Sequence, residues 1–223
     1  MCKIILKFGD PLTSAEIADH REHVEKGAGL IWKSGDSLRI TRNMIHSKVI
    51  ESYHANVSKS SPFHLFHSRF PSEGSVNFTN IQPFISEDFA FCHNGTVMDM
   101  KALYLSCIAQ RVKFTDQDSD SLLLFKLIKS VPPESAVAFI KSIDQNFIMV
   151  FRKRREIHII GRYEIETDEK EERVLMAKNA WGRTAMHVVT DFDGKIKYSE
   201  VTSRYAPTQL RFRTVTEIEE GGK

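Results

Sequence analysis

Cys2 stands directly behind the first methionine in the run MCKIILKF, and it is one of three cysteines in 223 residues. As an ordinary side chain it is a small apolar group at the start of a strand. With Met1 removed it becomes the first residue, and an α-amine of reference pKa about 7.7–8.0 lies beside its thiol as a free base near neutral pH. Such an amine is a built-in general base for a cysteine nucleophile. Four further stretches hold polar groups able to complete a site: HLFHSRFPSEG at 64–74, NIQPF at 80–84, FCHNGTV at 91–97 and QDSDSLLLFKL at 117–127.

Each has a plainer reading. Arg69 could serve a surface ion pair, Asp118 could cap a helix beginning at Ser119, and Asn94-Gly95 could be a hairpin turn. Cys92, in FAFC, reads as a buried strand residue, and Cys107 as a residue packed on a helix. His20 and His23 are spaced to share a metal on a helix. His64 and His67 sit three apart in a strand and so point to opposite faces. No compact Cys/His cluster completes a site, so no metal is expected. The run Arg152 to Arg155 reads as a solvated turn rather than a nucleic-acid contact.

The elements that would carry these residues alternate in period. CKIILKF is a strand ended by Gly9-Asp10-Pro11. Thr13-Ser14-Ala15-Glu16 is a capping-box pattern opening a helix that Gly27 and Gly29 are expected to end. Leu38 to Thr41 suggests a short strand, and Ile45, Val49, Ile50, Tyr53 and Val57 a second helix. A β-rich block covers 63–70 and 89–92. Helices are expected over 98–110, 119–129 and from Pro132-Pro133-Glu134 to Ile143. FIMVF and EIHIIGRY form a hairpin about Arg152–Arg155, and further strands fill 173–189. Strands at both ends and helices between them make an α+β layered domain, with no internal repeat or linker to divide residues 1–223.

A composition of 41% hydrophobic and 27% charged residues is that of a globular protein. A net charge of +2 gives no argument for nucleic acid or membrane. Lys3 and Lys7 interrupt the N-terminal apolar run, no stretch reaches membrane-spanning length, and the odd cysteine count suggests reduced thiols. The expectation is a cytoplasmic protein.

Taken together and in this order, the five pieces resemble the class II glutamine amidotransferase domain, an N-terminal-nucleophile hydrolase, most strongly over residues 2–165. The resemblance implies a four-layer αββα sandwich and no cofactor. It implies that Cys2 attacks the side-chain amide of glutamine, with release of ammonia and then of glutamate from a γ-glutamyl thioester. Asn94 and the backbone N–H of Gly95 would hold the oxyanion, and Gly95 would suit a tight, left-handed turn. Arg69 would grip the α-carboxylate and Asp118 the α-ammonium, with Ser72 and Gln82 nearby. Two positions depart from the family pattern: Lys3 stands where glycine is usual and Phe70 where tryptophan is common. No phosphate-binding glycine loop follows residue 165. The expectation is therefore either a separate synthase or acceptor subunit that takes the ammonia or a freestanding amidohydrolase. Hydrolysis of another γ-glutamyl or small amide is the nearest alternative, and a silent binding module on the same fold is the reading if Met1 is retained.

Overall fold

Alternation along the first strand sets the architecture. In β1 (Lys3–Phe8), Ile4, Leu6 and Phe8 enter one hydrophobic core while Ile5 enters another. A strand buried on both faces must be covered on both. The computed structural model describes residues 2–18, 26–57, 59–70, 74–143, 145–180, 182–201 and 213–214.

Helix α1 (Ser14–Ala18) opens on a reciprocal capping box. The Thr13 N–H donates to Glu16 Oε2 at 2.6 Å, and the Glu16 N–H donates to Thr13 Oγ1 at 3.2 Å. Strands β2 (Ala28–Ser34) and β3 (Ser37–Asn43) form a hairpin, followed by α2 (His46–Asn56) and β4 (Phe63–Ser68). Then come β5 (Phe84–Ile85), β6 (Phe89–Asn94), α3 (Met100–Ala109), α4 (Asp120–Ile128) and α5 (Pro133–Lys141). The remaining strands are β7 (Asn146–Phe151), β8 (Glu156–Asp168), β9 (Arg173–Asn179), β10 (Ala185–Asp191), β11 (Ile196–Val201) and β12 (Arg213–Thr214).

The strands run in the order β3-β2-β4-β1-β9-β8-β7-β6-β5, with β10 and β11 on the other side of β8. Pairing is antiparallel except for β12 on β8. Strand β8 belongs to two sheets: its first half pairs with β7 and β10, and its second half with β9. The switch occurs near Gly161, at φ +118°, where a β-carbon would overlap the backbone of Gln145 and the side chain of Asn146. Asn146 Oδ1 accepts the Arg162 N–H there at 2.5 Å.

Three cores separate the layers. Ile4, Leu6, Leu65, Ala90, Cys92, Ile148 and Ile159 fill the space between the two sheets. Ile17, Val49 and Tyr53 of α1 and α2 pack on Ile5, Leu30, Trp32 and Phe66. Leu103, Leu123, Phe125 and Ile140 of α3, α4 and α5 pack on Phe89, Phe91, Phe147 and Met149. This is the αββα sandwich that the resemblance implies.

Strands β2 and β11 differ from the sequence reading, β11 lying beyond the strands expected over 173–189. Gly29, expected to help end the first helix, lies inside β2, and residues 19–25, where that helix would end before Gly27, lie outside the described residues. A β-carbon on Gly27 would come within 2.7 Å of the Ile81 side chain, and one on Gly29 would overlap the carbonyl of Gln82. The glycines are there so that the NIQP segment can approach β2 closely. His20 and His23 lie outside the described residues. Arg152–Arg155 is the β7–β8 turn, with Lys153 paired to Asp88 at 2.7 Å and Arg154 paired to Glu134. No helix among the described residues is long and apolar enough to cross a membrane.

A buried network ties β1 to its helices. His64 Nε2 faces Gly9 O at 3.2 Å, which leaves Nδ1 to accept from Tyr53 Oη at 2.8 Å, and that hydroxyl accepts the Leu12 N–H at 3.0 Å. Burial pushes His64 down to about 4, and does the same to His158. An unfolded histidine takes its proton near 6.5. Between these values the unfolded chain binds more protons, so stability is full above about pH 6.5 and falls as pH drops toward 4. Urea melts at pH 7 and pH 4.5 are expected to differ by on the order of 2 kcal/mol for each of these histidines, and His64→Gln should flatten the slope. Equal melts at both pH values would refute this account of the network.

Candidate active site

Strand alternation brings the nucleophile candidate to its neighbours. Cys2 continues the Ile4–Leu6–Phe8 series and so faces the space between the sheets. Lys3 lies on the other face of β1 with Ile5. The lysine that departs from the family pattern is thereby carried away from the site. Lys3 pairs with Ser68 in the β1–β4 register, which sets Cys2 beside Arg69 and Phe70. Arg69 carries on the inward series of Phe63 and Leu65.

The Cys2 thiol sits on the backbone of Phe70. Its Sγ accepts the Phe70 N–H at 3.1 Å and lies 3.3 Å from the Phe70 carbonyl as a donor. Burial is the largest influence on this thiol and pushes it above its ordinary value of 9.0; the Phe70 N–H and Arg69 pull the other way, and Asp120 adds to the rise. Arg69 is 3% exposed. Burial disfavours its charge, and the proximity of Cys2 and Asp120 favours it. Thiol, guanidinium and Asp120 carboxylate therefore share one electrostatic neighbourhood.

Asn94 ends β6 on the same face as Ala90 and Cys92, toward the inter-sheet space, and Cys92 responds electrostatically to Cys2. Asn94 is 4% exposed, and its Nδ2 has no hydrogen-bond partner among the described residues. A buried amide donor left unpaired costs about 1–3 kcal/mol, so its retention calls for a reason. Gly95 is not left-handed as expected, because its φ is not among the positive ones. Its constraint is steric, since a β-carbon would overlap the Gln145 amide.

The two carboxylates of QDSDS diverge. Asp118, the expected ammonium reader, meets Lys126 Nζ at 2.5 Å and accepts from Thr115 N and Oγ1, each at 3.2 Å. Asp120, which the sequence reading passed over, is the carboxylate that Cys2 and Arg69 feel. Its Oδ2 accepts the Val97 N–H at 2.9 Å and its Oδ1 the Ser121 N–H at 2.7 Å. The cap of α4 is Ser119, whose Oγ accepts the Leu122 N–H at 3.2 Å. Gln82 places both amide ends on the backbone of His93, donating to its carbonyl at 3.1 Å and accepting its N–H at 2.6 Å. Gln82 thus braces β6 one residue before Asn94. Ser72 lies outside the described residues.

Asn80 was also passed over. Its Nδ2 donates to Ser75 O at 2.9 Å and Gln117 O at 2.8 Å, while its Oδ1 accepts the Ser119 N–H at 2.8 Å. Gly74, at φ +73°, leaves room for Ser119 to pack on it. The only sequence signal for Asn80 was its place beside the Gln-Pro pair. Among the described residues no group of three His, Cys, Asp or Glu side chains is arranged to hold a metal ion.

No family model matches the chain. Over 124 residues it is 23% identical to an amidophosphoribosyltransferase of Staphylococcus epidermidis, covering 53% of this chain and 25% of that enzyme. Its structure is similar to the glutamine phosphoribosylpyrophosphate amidotransferase of B. subtilis, with a TM-score of 0.62 at 15% identity over 92% of this chain and 50% of that one. It is similar to a structure described as the allosteric regulatory enzyme of purine biosynthesis, with a TM-score of 0.64 at 17% identity over 91% of this chain and 49% of that one. A glutamine aminotransferase class-II domain protein from Silicibacter pomeroyi has a TM-score of 0.57 at 14% identity, and the alignment covers 91% of this chain and 100% of that one. The chain spans about a quarter of the curated relative it matches and about half of the two larger structures. Its fold is that of the class II glutamine amidotransferase domain.

The thiol environment predicts a pH dependence. With Met1 in place, alkylation of Cys2 by iodoacetamide should be slow at pH 7 and still be rising with pH above 9.0, the ordinary thiol value. A rate that levels off below pH 8 in that form would contradict the dominance of burial.

Proposed function

We propose that the chain is a glutamine-hydrolysing amidotransferase domain in which Cys2, exposed as the first residue by removal of Met1, is the nucleophile. The observation that carries this reading is the buried, unpartnered Asn94 Nδ2, on the inter-sheet face that Cys2 also addresses. An amide donor held in place without an acceptor is what a preorganised oxyanion site requires.

The steps follow from the groups present. The Cys2 α-amine takes the thiol proton, and the thiolate attacks the side-chain amide carbon of glutamine. Charge develops on the amide oxygen, toward Asn94 Nδ2 and the Gly95 N–H. Collapse expels the nitrogen, which takes the proton back from the amine and leaves as ammonia, and a γ-glutamyl thioester remains. Water, deprotonated by the same amine, attacks the thioester and releases glutamate and the thiol. Arg69 grips the substrate α-carboxylate through its planar fork. Asp118 takes the α-ammonium, exchanging the Lys126 ammonium it now holds for that of the substrate. The ammonia passes to an acceptor bound beside this domain. Glutamate and free ammonia are the products where none is bound.

A second reading, a binding module on the same fold, draws support from the raised thiol. A Cys2 still joined to Met1 has no amine base and stays protonated at neutral pH.

Ammonia release from glutamine tests the proposal. Protein lacking Met1 should be active, and Cys2→Ala should be inactive. Asn94→Ala should lower kcat by about 10²–10³-fold. Arg69→Lys and Asp118→Asn should act mainly on KM, since each loses a contact present in ground and transition states alike. A processed protein that releases no ammonia contradicts the proposal. Full activity toward glutamine in Arg69→Lys would point instead to a γ-glutamyl substrate without a free α-carboxylate.

A further inference from the structure

On the far side of β6 from Cys2, His93 lies buried against the helices with its ring on Phe147, at 4.7 Å between centroids and 12° between planes. Its Nδ1 is 2.8 Å from Ser121 Oγ, and its Nε2 hydrogen-bonds Gln145 Oε1. The other end of the Gln145 amide, Nε2, donates to Thr96 O, and the Gln145 side chain fills the space a Gly95 β-carbon would need. Asp120 holds the same loop from α4 through the Val97 N–H.

These contacts fix the protons. An amide whose nitrogen serves Thr96 O can offer His93 only its oxygen, so His93 Nε2 carries the hydrogen. His93 Nδ1 is then an acceptor, and the single hydrogen of the Ser121 hydroxyl, which also lies 3.2 Å from Asp120 Oδ1, turns to the nearer imidazole nitrogen at 2.8 Å. Burial keeps the ring neutral against the pull of Asp120, the charged group that acts on it.

We propose that His93 and Gln145 are positioning residues for the Asn94–Gly95 turn: the Nε2–H imidazole locks the Gln145 amide in the orientation that clamps Thr96 and walls off Gly95. If the lock is lost, the Gln145 amide can turn over and the loop loses its Gln145 anchor. Neither residue touches substrate in this account. Their effect is on where the oxyanion donors stand, and so on kcat. The assignment rests on the glutaminase reading for its catalytic consequence, and on geometry alone for the lock.

The test pairs kinetics with nitrogen NMR of His93. Gln145→Met removes both bonds, and Gln145→Glu keeps size and the acceptor toward His93 while setting an oxygen against Thr96 O. Each should lower kcat by about 10²-fold with KM within about twofold, as a displaced donor does. His93→Leu should match them, and His93→Gln, whose amide N–H can still reach Gln145, should recover most of the activity. In the parent, His93 should show the neutral Nε2–H form near pH 7, and Gln145→Met should release it to a mixture of tautomers. Folded Gln145→Met and Gln145→Glu proteins with parental kcat would overturn the proposal, as would an Nδ1–H tautomer in the parent. A parent that releases no ammonia would sink the glutaminase reading, and the tautomer and its response to Gln145→Met would still decide the lock.

Discussion

Two buried amides, Asn80 and Gln82, hold the candidate site together. Asn80 is fully buried and hydrogen-bonded to Ser75, Gln117 and Ser119, which joins the stretch after Gly74 to the start of α4. Gln82 takes both backbone groups of His93 and thereby fixes the end of β6. The same segment rests on Gly27 and Gly29 of the other sheet. Burying such groups unpaired would cost several kcal/mol, so the segment is stable only where all of these partners meet. Stretches far apart in sequence are brought to one end of the sandwich by this requirement.

Electrostatics within that frame favour a thiol that waits for its base. Burial outweighs the Phe70 N–H and the Arg69 charge, and the net effect raises Cys2. A site that relied on Arg69 alone to make a thiolate would fail at neutral pH. A base adjoining the sulfur would overcome the same barrier locally, and an unmasked α-amine is such a base. In the proposed reaction the unpartnered Asn94 amide is the complementary half, a donor for the charge that would appear only during reaction.

Much of this was legible in the sequence because it depends on local pattern. The capping box at Thr13–Glu16, the period change after Asn146 and the positively charged β7–β8 turn are written in neighbouring residues. The departure at Lys3 was not explained by the sequence; it is the faces of β1, with Ile4 and Leu6 in one core and Ile5 in another, that set Lys3 opposite Cys2. What escaped depends on distant partners. Gly29 signals a helix end by itself, and only the Gln82 carbonyl above it shows why a strand needs glycine there. Gly95 looks like a left-handed turn until Gln145, fifty residues on, takes the space. Asp118 and Asp120 are equivalent as letters; Lys126 and Val97 separate them.

The measurement closest to the central claim is one intact-mass spectrum after incubation with a diazo-ketone analogue of glutamine that alkylates such nucleophiles. The account predicts a species without Met1 carrying a single adduct, absent from Cys2→Ala. Retained Met1 with no adduct would contradict it and leave MCKII as the start of a strand in a binding module.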